Sequence, residues 1–258
     1  MNTDSREPSA LVTGAARRLG RAIALDLAEH GWRVGVHYQS SEEEALSLVA
    51  EITASGGEAV ALPADLTRLA ALPSLIDACS AALGPVTCLI NNAACFEWDW
   101  PGKFDEENWS QHHEVNLRAP VFLVKAFAEA LPENANGNVI NVIDQKVRAL
   151  NPHHFTYTLA KSALWTATRT FAQALAPRIR VNAIAPGPVL PHKGQSDEDF
   201  DLECQDTLLG RAVPMDDITA SIRFLIDTDS ITGQMIALDG GRHLNWPGGP
   251  QGDGGGEL

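Results

Sequence analysis

Ala10-Leu11-Val12-Thr13-Gly14-Ala15-Ala16-Arg17-Arg18-Leu19-Gly20 joins an apolar run to a glycine-bearing turn, and an amphipathic stretch over 20–30 follows at once. A strand that turns into a helix through glycine offers backbone N–H groups to a pyrophosphate, and the helix N-terminus adds partial positive charge. The run is not a literal GxGxxG, so a plain strand-to-helix turn with two glycines is the competing reading. Its place after the first strand and before an amphipathic helix favours phosphate binding.

The same rhythm continues outward. Short apolar runs at 10–13, 33–37, 58–62, 87–91, 138–143, 180–184 and 234–238 alternate with longer helix-like segments, the signature of parallel βαβ units. Nearly continuous apolar character fits strands buried under helices on both faces. The expected fold is α/β: a single-domain, Rossmann-type doubly wound parallel sheet of about seven strands, covering 8–246. Gly31 is expected to close the first helix, and Ser41-Glu42-Glu43-Glu44 to open the second as a capping box. The polar, acidic 191–207 segment suits a mobile loop or short helix near the ligand. The Gly- and Pro-rich stretch 247–258 has no apolar periodicity and is expected to be a disordered tail.

Composition narrows the class. Of the 258 residues, 45% are hydrophobic and 20% charged, with a formal net charge of −14. That charge argues against nucleic acid or an anionic membrane as partner, so a phosphate-bearing ligand must meet a local basic cluster. Cys79, Cys88, Cys95 and Cys204 form no CxxC pair and no zinc-type spacing with histidine, so free thiols in a reducing cytoplasm are expected, and no metal. His153, His154 and His192 read as loop histidines. No apolar run reaches the ~20 residues that span a bilayer, and the N-terminus lacks a signal-peptide core. The expectation is a soluble, cytoplasmic protein acting on a small molecule.

The second strand runs into His37-Tyr38-Gln39-Ser40-Ser41 with no carboxylate to bind a ribose 2′-OH or repel a 2′-phosphate. Arg17 in the loop and the Ser40 and Ser41 hydroxyls favour NADP(H) over NAD(H). Arg17 as a solvated surface charge is the alternative. Farther along, Tyr157 and Lys161 stand four apart, on one face of a helix, where a cation is expected to lower the tyrosine pKa. Alone, such a pair suits an exposed helical face equally well.

Taken together and in order, the 13–20 loop, Asn91-Asn92-Ala93-Ala94, Asn116, Tyr157xxxLys161 and Ala185-Pro186-Gly187 resemble the short-chain dehydrogenase/reductase family over about 10–244. The resemblance implies a tetramer built through helices over 104–131 and 152–176. It implies that Asn116 orders a lysine-linked water chain, Tyr157 donates a proton, and Lys161 contacts the ribose and activates the tyrosine. Gly14, Arg18, Leu19, Gly20, His37, Tyr38, Leu66, Asn92, Ala93, Pro186 and Gly187 would line the cofactor, with Asp65 near the adenine.

Most members of that family carry serine thirteen residues before the tyrosine, and here that position is Asp144. An ionised aspartate would repel the carbonyl that serine holds. Asp144 is therefore protonated with substrate bound, or meets N–H groups, or marks a site that has lost activity; capping the strand end is the bland reading. Asp144, Arg18 in place of the usual middle glycine, and Phe96 resemble pteridine and dihydromonapterin reductases. In that subgroup the pterin stacks between the nicotinamide and a phenylalanine, an arginine reaches pterin and phosphates, and the aspartate joins the tyrosine in proton delivery. Phe96 as ordinary core packing is the other possibility. The leading expectation is an NADPH-dependent pterin reductase; the alternatives are a ketone or 3-oxoacyl reductase and a non-catalytic NADP(H) binder.

Overall fold

Alternation along each apolar run sends side chains to both faces of one sheet. Ala10 and Val12 face the same core as Val34, Val36, Ile90 and Ile140, while Leu11 faces the other with Leu89, Val139 and Val181. The computed structural model of the chain describes residues 8–246, so the tail expected at 247–258 lies outside the described residues. The strands are β1 (Ser9–Val12), β2 (Arg33–Tyr38), β3 (Ala59–Pro63), β4 (Val86–Asn91), β5 (Gly137–Val142), β6 (Ile179–Pro186) and β7 (Met235–Leu238). All pair in parallel, in the order β3-β2-β1-β4-β5-β6-β7. The order reverses between β1 and β4, and ligands bind doubly wound sheets outside the strand ends at such a switch.

Helices α1 (Arg18–Glu29), α2 (Glu42–Ala54) and α8 (Met215–Asp227) carry the apolar residues of one core. Helices α3 (Ala71–Leu83) and α5 (Ala119–Ala130) supply the other, joined by α6 (Phe155–Leu175). On α1 the buried positions Gly20, Ile23, Ala24 and Leu27 follow helical spacing, so one stripe docks on the sheet. The short helices α4 (Glu106–His113) and α7 (Asp197–Gln205) lie toward the strand C-termini.

Two terminus expectations change in detail. Gly31, at φ +80°, stands one residue past the C-cap His30 and forms a Schellman turn, in which Trp32 N–H reaches Leu27 O (3.0 Å) and Gly31 N–H reaches Ala28 O (3.1 Å). Ser41 is the N-cap of α2, but its hydroxyl makes no capping bond, so the capping box does not form. Glu42, Glu43 and Glu44 instead favour the helix start through its dipole. The long helix expected at 104–131 is α4 and α5 joined by a π-helical turn, Glu114–Arg118. The 191–207 segment contains α7, opened by Ser196, whose hydroxyl accepts from Asp199 N–H.

Candidate active site

The turn after β1 is held shut by side chains distant in sequence. Asn92 Nδ2 donates to the carbonyls of Thr13 (2.9 Å) and Gly14 (3.2 Å), while Thr13 Oγ1 accepts from Asn92 and Ala93 N–H, both at 3.0 Å. Gly20 is demanded by this closure: a Cβ there would stand 2.2 Å from Gly14 O. Arg18 takes the left-handed conformation (φ +54°) that its glycine-like position calls for. Arg17 stands at the N-cap of α1 without a side-chain cap, so the first-turn N–H groups are open to the groove.

Buried His37 braces the same loop. Its Nδ1 accepts from Gly14 N–H (2.9 Å), which leaves Nε2–H to donate to Ala64 O (3.2 Å). Burial depresses its pKa to about 4, so it is a neutral strut and not a cation for phosphate.

A cavity of about 370 Å³ runs along this loop, lined by Gly14, Arg17, Arg18, Leu19, Gly20, His37, Tyr38, Ser40, Ser41, Asp65, Leu66, Asn92 and Ala93. Asp65 is fixed by Thr67 N–H (3.0 Å) and hydroxyl (2.7 Å). Arg17 is exposed and lies 3.7 Å from Glu44. Gln39, Thr67 and Val115 also line this groove and were not foreseen.

A second cavity, about 460 Å³, opens beyond it and contains Phe96, Asp144, Tyr157, Lys161, Pro186 and Gly187; Arg18 lines both. Here Tyr157 Oη donates to Asp144 Oδ2 (3.1 Å), and Asp144 Oδ1 accepts from Lys146 N–H (2.8 Å). Asp144 thus caps the turn after β5 and also meets the tyrosine. Lys161 Nζ donates to Val142 O (2.7 Å) and lies 5.7 Å from the Tyr157 ring centre.

Burial, and then the Asp144 charge, raise the Tyr157 pKa well above the usual phenol, opposite to the lowering expected from Lys161 alone. Burial also raises Asp144 and lowers Lys161 to about 8. The phenol therefore holds its proton and donates it in the hydrogen bond to Asp144. Asn116 lies outside both cavities: fully buried in the π turn, it accepts from Cys95 N–H (2.9 Å) and donates to Cys95 O (2.8 Å). It clamps the segment after β4.

Phe96 rides on that segment. His154 stacks on one face of its ring at 4.0 Å, and Tyr157 meets it edge-on at 4.7 Å. His192 approaches the same ring at 5.6 Å, and Phe96 and His192 both line the second cavity. Behind it, Glu97 N–H donates to His112 Nε2 (3.0 Å), so His112 carries its proton on Nδ1 and donates to Thr156 Oγ1 (2.6 Å). Thr156 in turn donates to Asp99, which is wholly buried and also accepts from Thr156 N–H at 3.2 Å. This Asp99–Thr156–His112 network ties the Phe96 segment to the first turn of α6, one residue from Tyr157.

A family model described as Enoyl-(Acyl carrier protein) reductase matches residues 14–243. The chain belongs to this family, among the short-chain dehydrogenases/reductases. As a short-chain reductase it is 32% identical, over 241 residues, to the 3-oxoacyl-[acyl-carrier-protein] reductase of Staphylococcus epidermidis, covering 92% of this chain and 99% of that one. It is 48% identical to FolM alternative dihydrofolate reductase 1 from Brucella suis, solved in complex with NADP, with a TM-score of 0.90 over 93% of this chain and 96% of the other. A blue fluorescent protein from a metagenomic library, solved with NADPH, is 31% identical with a TM-score of 0.85, covering 92% and 98% of the two chains.

The cavity walls of this short-chain reductase include residues that sequence reasoning missed. Gln145, Lys146, Leu190, His192, Gln195 and Glu203 close the second cavity. The Arg18 guanidinium donates to the carbonyls of Leu190 (3.3 Å) and Pro191 (2.8 Å), 172 and 173 residues away. The adjacency of Gln145 and Lys146 to Asp144 was the only available signal. Among the described residues no helix is long and apolar enough to cross a membrane, and no cluster could hold a metal.

Proposed function

We propose that this short-chain reductase reduces a pterin-like substrate, a dihydropterin or pteridine, with NADPH, through one catalytic domain spanning 8–246. The observation that carries the reading is the Tyr157–Asp144 hydrogen bond (3.1 Å) facing a cavity that Phe96 also lines. The 48% identity to an NADP-bound alternative dihydrofolate reductase supports it.

The residues of the first groove fit NADPH: an uncapped helix start for pyrophosphate, and Arg17, Ser40 and Ser41 without a strand-end carboxylate. Bound there, NADPH supplies the hydride to the ring carbon of a C=N bond. The adjacent nitrogen needs a proton, and the Asp144–Tyr157 pair holds one in place. Phe96 offers a flat face to a heteroaromatic ring. Lys161, held on Val142 O, places a cation beside the phenol for the charge left after proton transfer. Asn116 and Asn92 act by holding the loops that carry these groups.

A ketone or 3-oxoacyl reductase is the second reading, favoured by the 32% identity to the staphylococcal enzyme. A non-catalytic binder would not need the Asp144–Tyr157–Lys161 cluster. Four unpaired cysteines support a cytoplasmic setting, and exposed Phe104, Trp109 and Phe122 support assembly as a homotetramer. NADPH oxidation with dihydropterins, dihydrofolate, quinones and simple ketones side by side tests the reading. Turnover is expected to concentrate on the dihydropterins. Turnover of ketones alone would return the second reading, and NADPH binding without turnover the third.

A further inference from the structure

Lys146 follows Asp144 by two residues and lines the second cavity half-buried. Its own N–H, bonded to Asp144 Oδ1 at 2.8 Å, fixes its backbone against the proton-delivering pair. The ammonium makes neither a hydrogen bond nor an ion pair with the described residues. Its charge is nonetheless felt across the cavity: it favours the ionised forms of Asp144 and Glu203 and disfavours protonation of His154.

Most neighbouring charges are already engaged; Lys193, which also lines the cavity, makes no ion pair with the described residues but is exposed, whereas Lys146 is half-buried beside Asp144. Arg242 pairs with Glu203 and, at 3.4 Å, with Asp206; Arg18 holds the Leu190 and Pro191 carbonyls; Lys161 holds Val142 O. The two carboxylates whose ionisation it favours are occupied as well, Asp144 by Tyr157 and Glu203 by Gln195 (2.9 Å) and Arg242. In a chain of net charge −14, an unpaired, half-buried cation in the substrate cavity is out of keeping with the rest of the surface. A partly desolvated ammonium gains most from an anion that reaches it from the ligand.

We infer that Lys146 is a specificity-determining residue that selects pterins bearing an anionic substituent, a carboxylate or phosphate beyond the reduced ring, over neutral ones. The inference rests on the pterin-reductase reading. Three substrates separate the cases: a neutral 6-hydroxymethyl-7,8-dihydropterin, its phosphate ester, and 7,8-dihydrofolate with its glutamate carboxylates. In the native enzyme, the ratio of kcat/KM for the better anionic substrate to that for the neutral one should fall as salt is raised.

In Lys146→Gln that ratio should drop about tenfold, through KM, and lose its salt dependence; Lys146→Arg should retain it. Because a ratio is read, any effect of the substitution on Asp144 itself cancels. The anionic substrate with the larger drop identifies the source of the anion. Turnover of the neutral dihydropterin with an unchanged ratio in Lys146→Gln would overturn the inference and leave the reading intact. No turnover of any dihydropterin by the native enzyme would overturn both.

Discussion

Asp144 and Arg17 illustrate how single residues set chemistry and cofactor choice. A carboxyl whose pKa burial raises, in contact with a phenol, can take part in proton transfer, which a serine hydroxyl does far less readily. Asp144→Ser should therefore retain any ketone reduction while dihydropterin reduction falls, read as kcat/KM on both substrates. Arg17, exposed beside Glu44, is free to swing toward a 2′-phosphate once that weak pair opens. Arg17→Ala is expected to raise KM for NADPH severalfold with little change for NADH, and Glu44→Gln to lower KM for NADPH modestly. An NADH preference in the native enzyme would contradict the cofactor assignment. Residue identities at this scale were legible where chemistry and chain order coincide, as in Asp144, Tyr157 and Lys161. Lys146 and the 190–203 wall were not, because they meet the site through contacts that only the folded sheet creates.

At the scale of elements, the seven strands could be read because both sheet faces are buried and the runs are nearly all apolar, although their ends shift by a residue or two. The helix termini were less legible. Ser41 has the right type for a capping box, yet its backbone (φ −96°, ψ 58°) leaves the hydroxyl without a bond. The π turn that carries Asn116 has no sequence signature, and neither has the His37 strut, whose partners lie 23 and 27 residues away. That strut has a pH consequence. The unfolded chain protonates His37 near 6.5, the folded chain only near 4, so the unfolded state binds more protons between them. Stability from this group is complete above about 6.5 and declines as pH falls to about 4, by up to ~3 kcal/mol. Denaturant unfolding at stepped pH should show a shallower decline in His37→Gln than in the native chain; parallel declines would contradict the assignment. The Asp99–Thr156–His112 network offers a second check. Thr156→Val should lower kcat for dihydropterin reduction several-fold more than it raises KM for NADPH, because it loosens the Phe96 segment and the Tyr157 turn while leaving the nucleotide groove alone.

Across the whole molecule, the topology gathers one site from both halves of the chain. The switch between β1 and β4 receives the phosphate loop, and β5, α6 and the segment after β6 supply the second cavity, with Arg18 spanning both. Exposed aromatics include Phe104, Trp109 and Phe122 on or just before α4 and α5, Trp98 and Trp100 after β4, Phe224 on α8, and Trp246 at the end of the described chain. Exposed apolar side chains on several elements suit more than one kind of contact between copies. Light scattering is expected to give the mass of four chains, and Phe122→Glu to yield a smaller species; a native monomer at micromolar concentration would contradict this.

The central claim, that Asp144 and Tyr157 deliver the proton in pterin reduction, is tested most directly by single-turnover oxidation of NADPH by a 7,8-dihydropterin in Asp144→Asn. This substitution keeps shape and removes acid–base capacity. The expected result is a rate at least about tenfold below the native one with NADPH affinity retained. An undiminished rate would contradict the account.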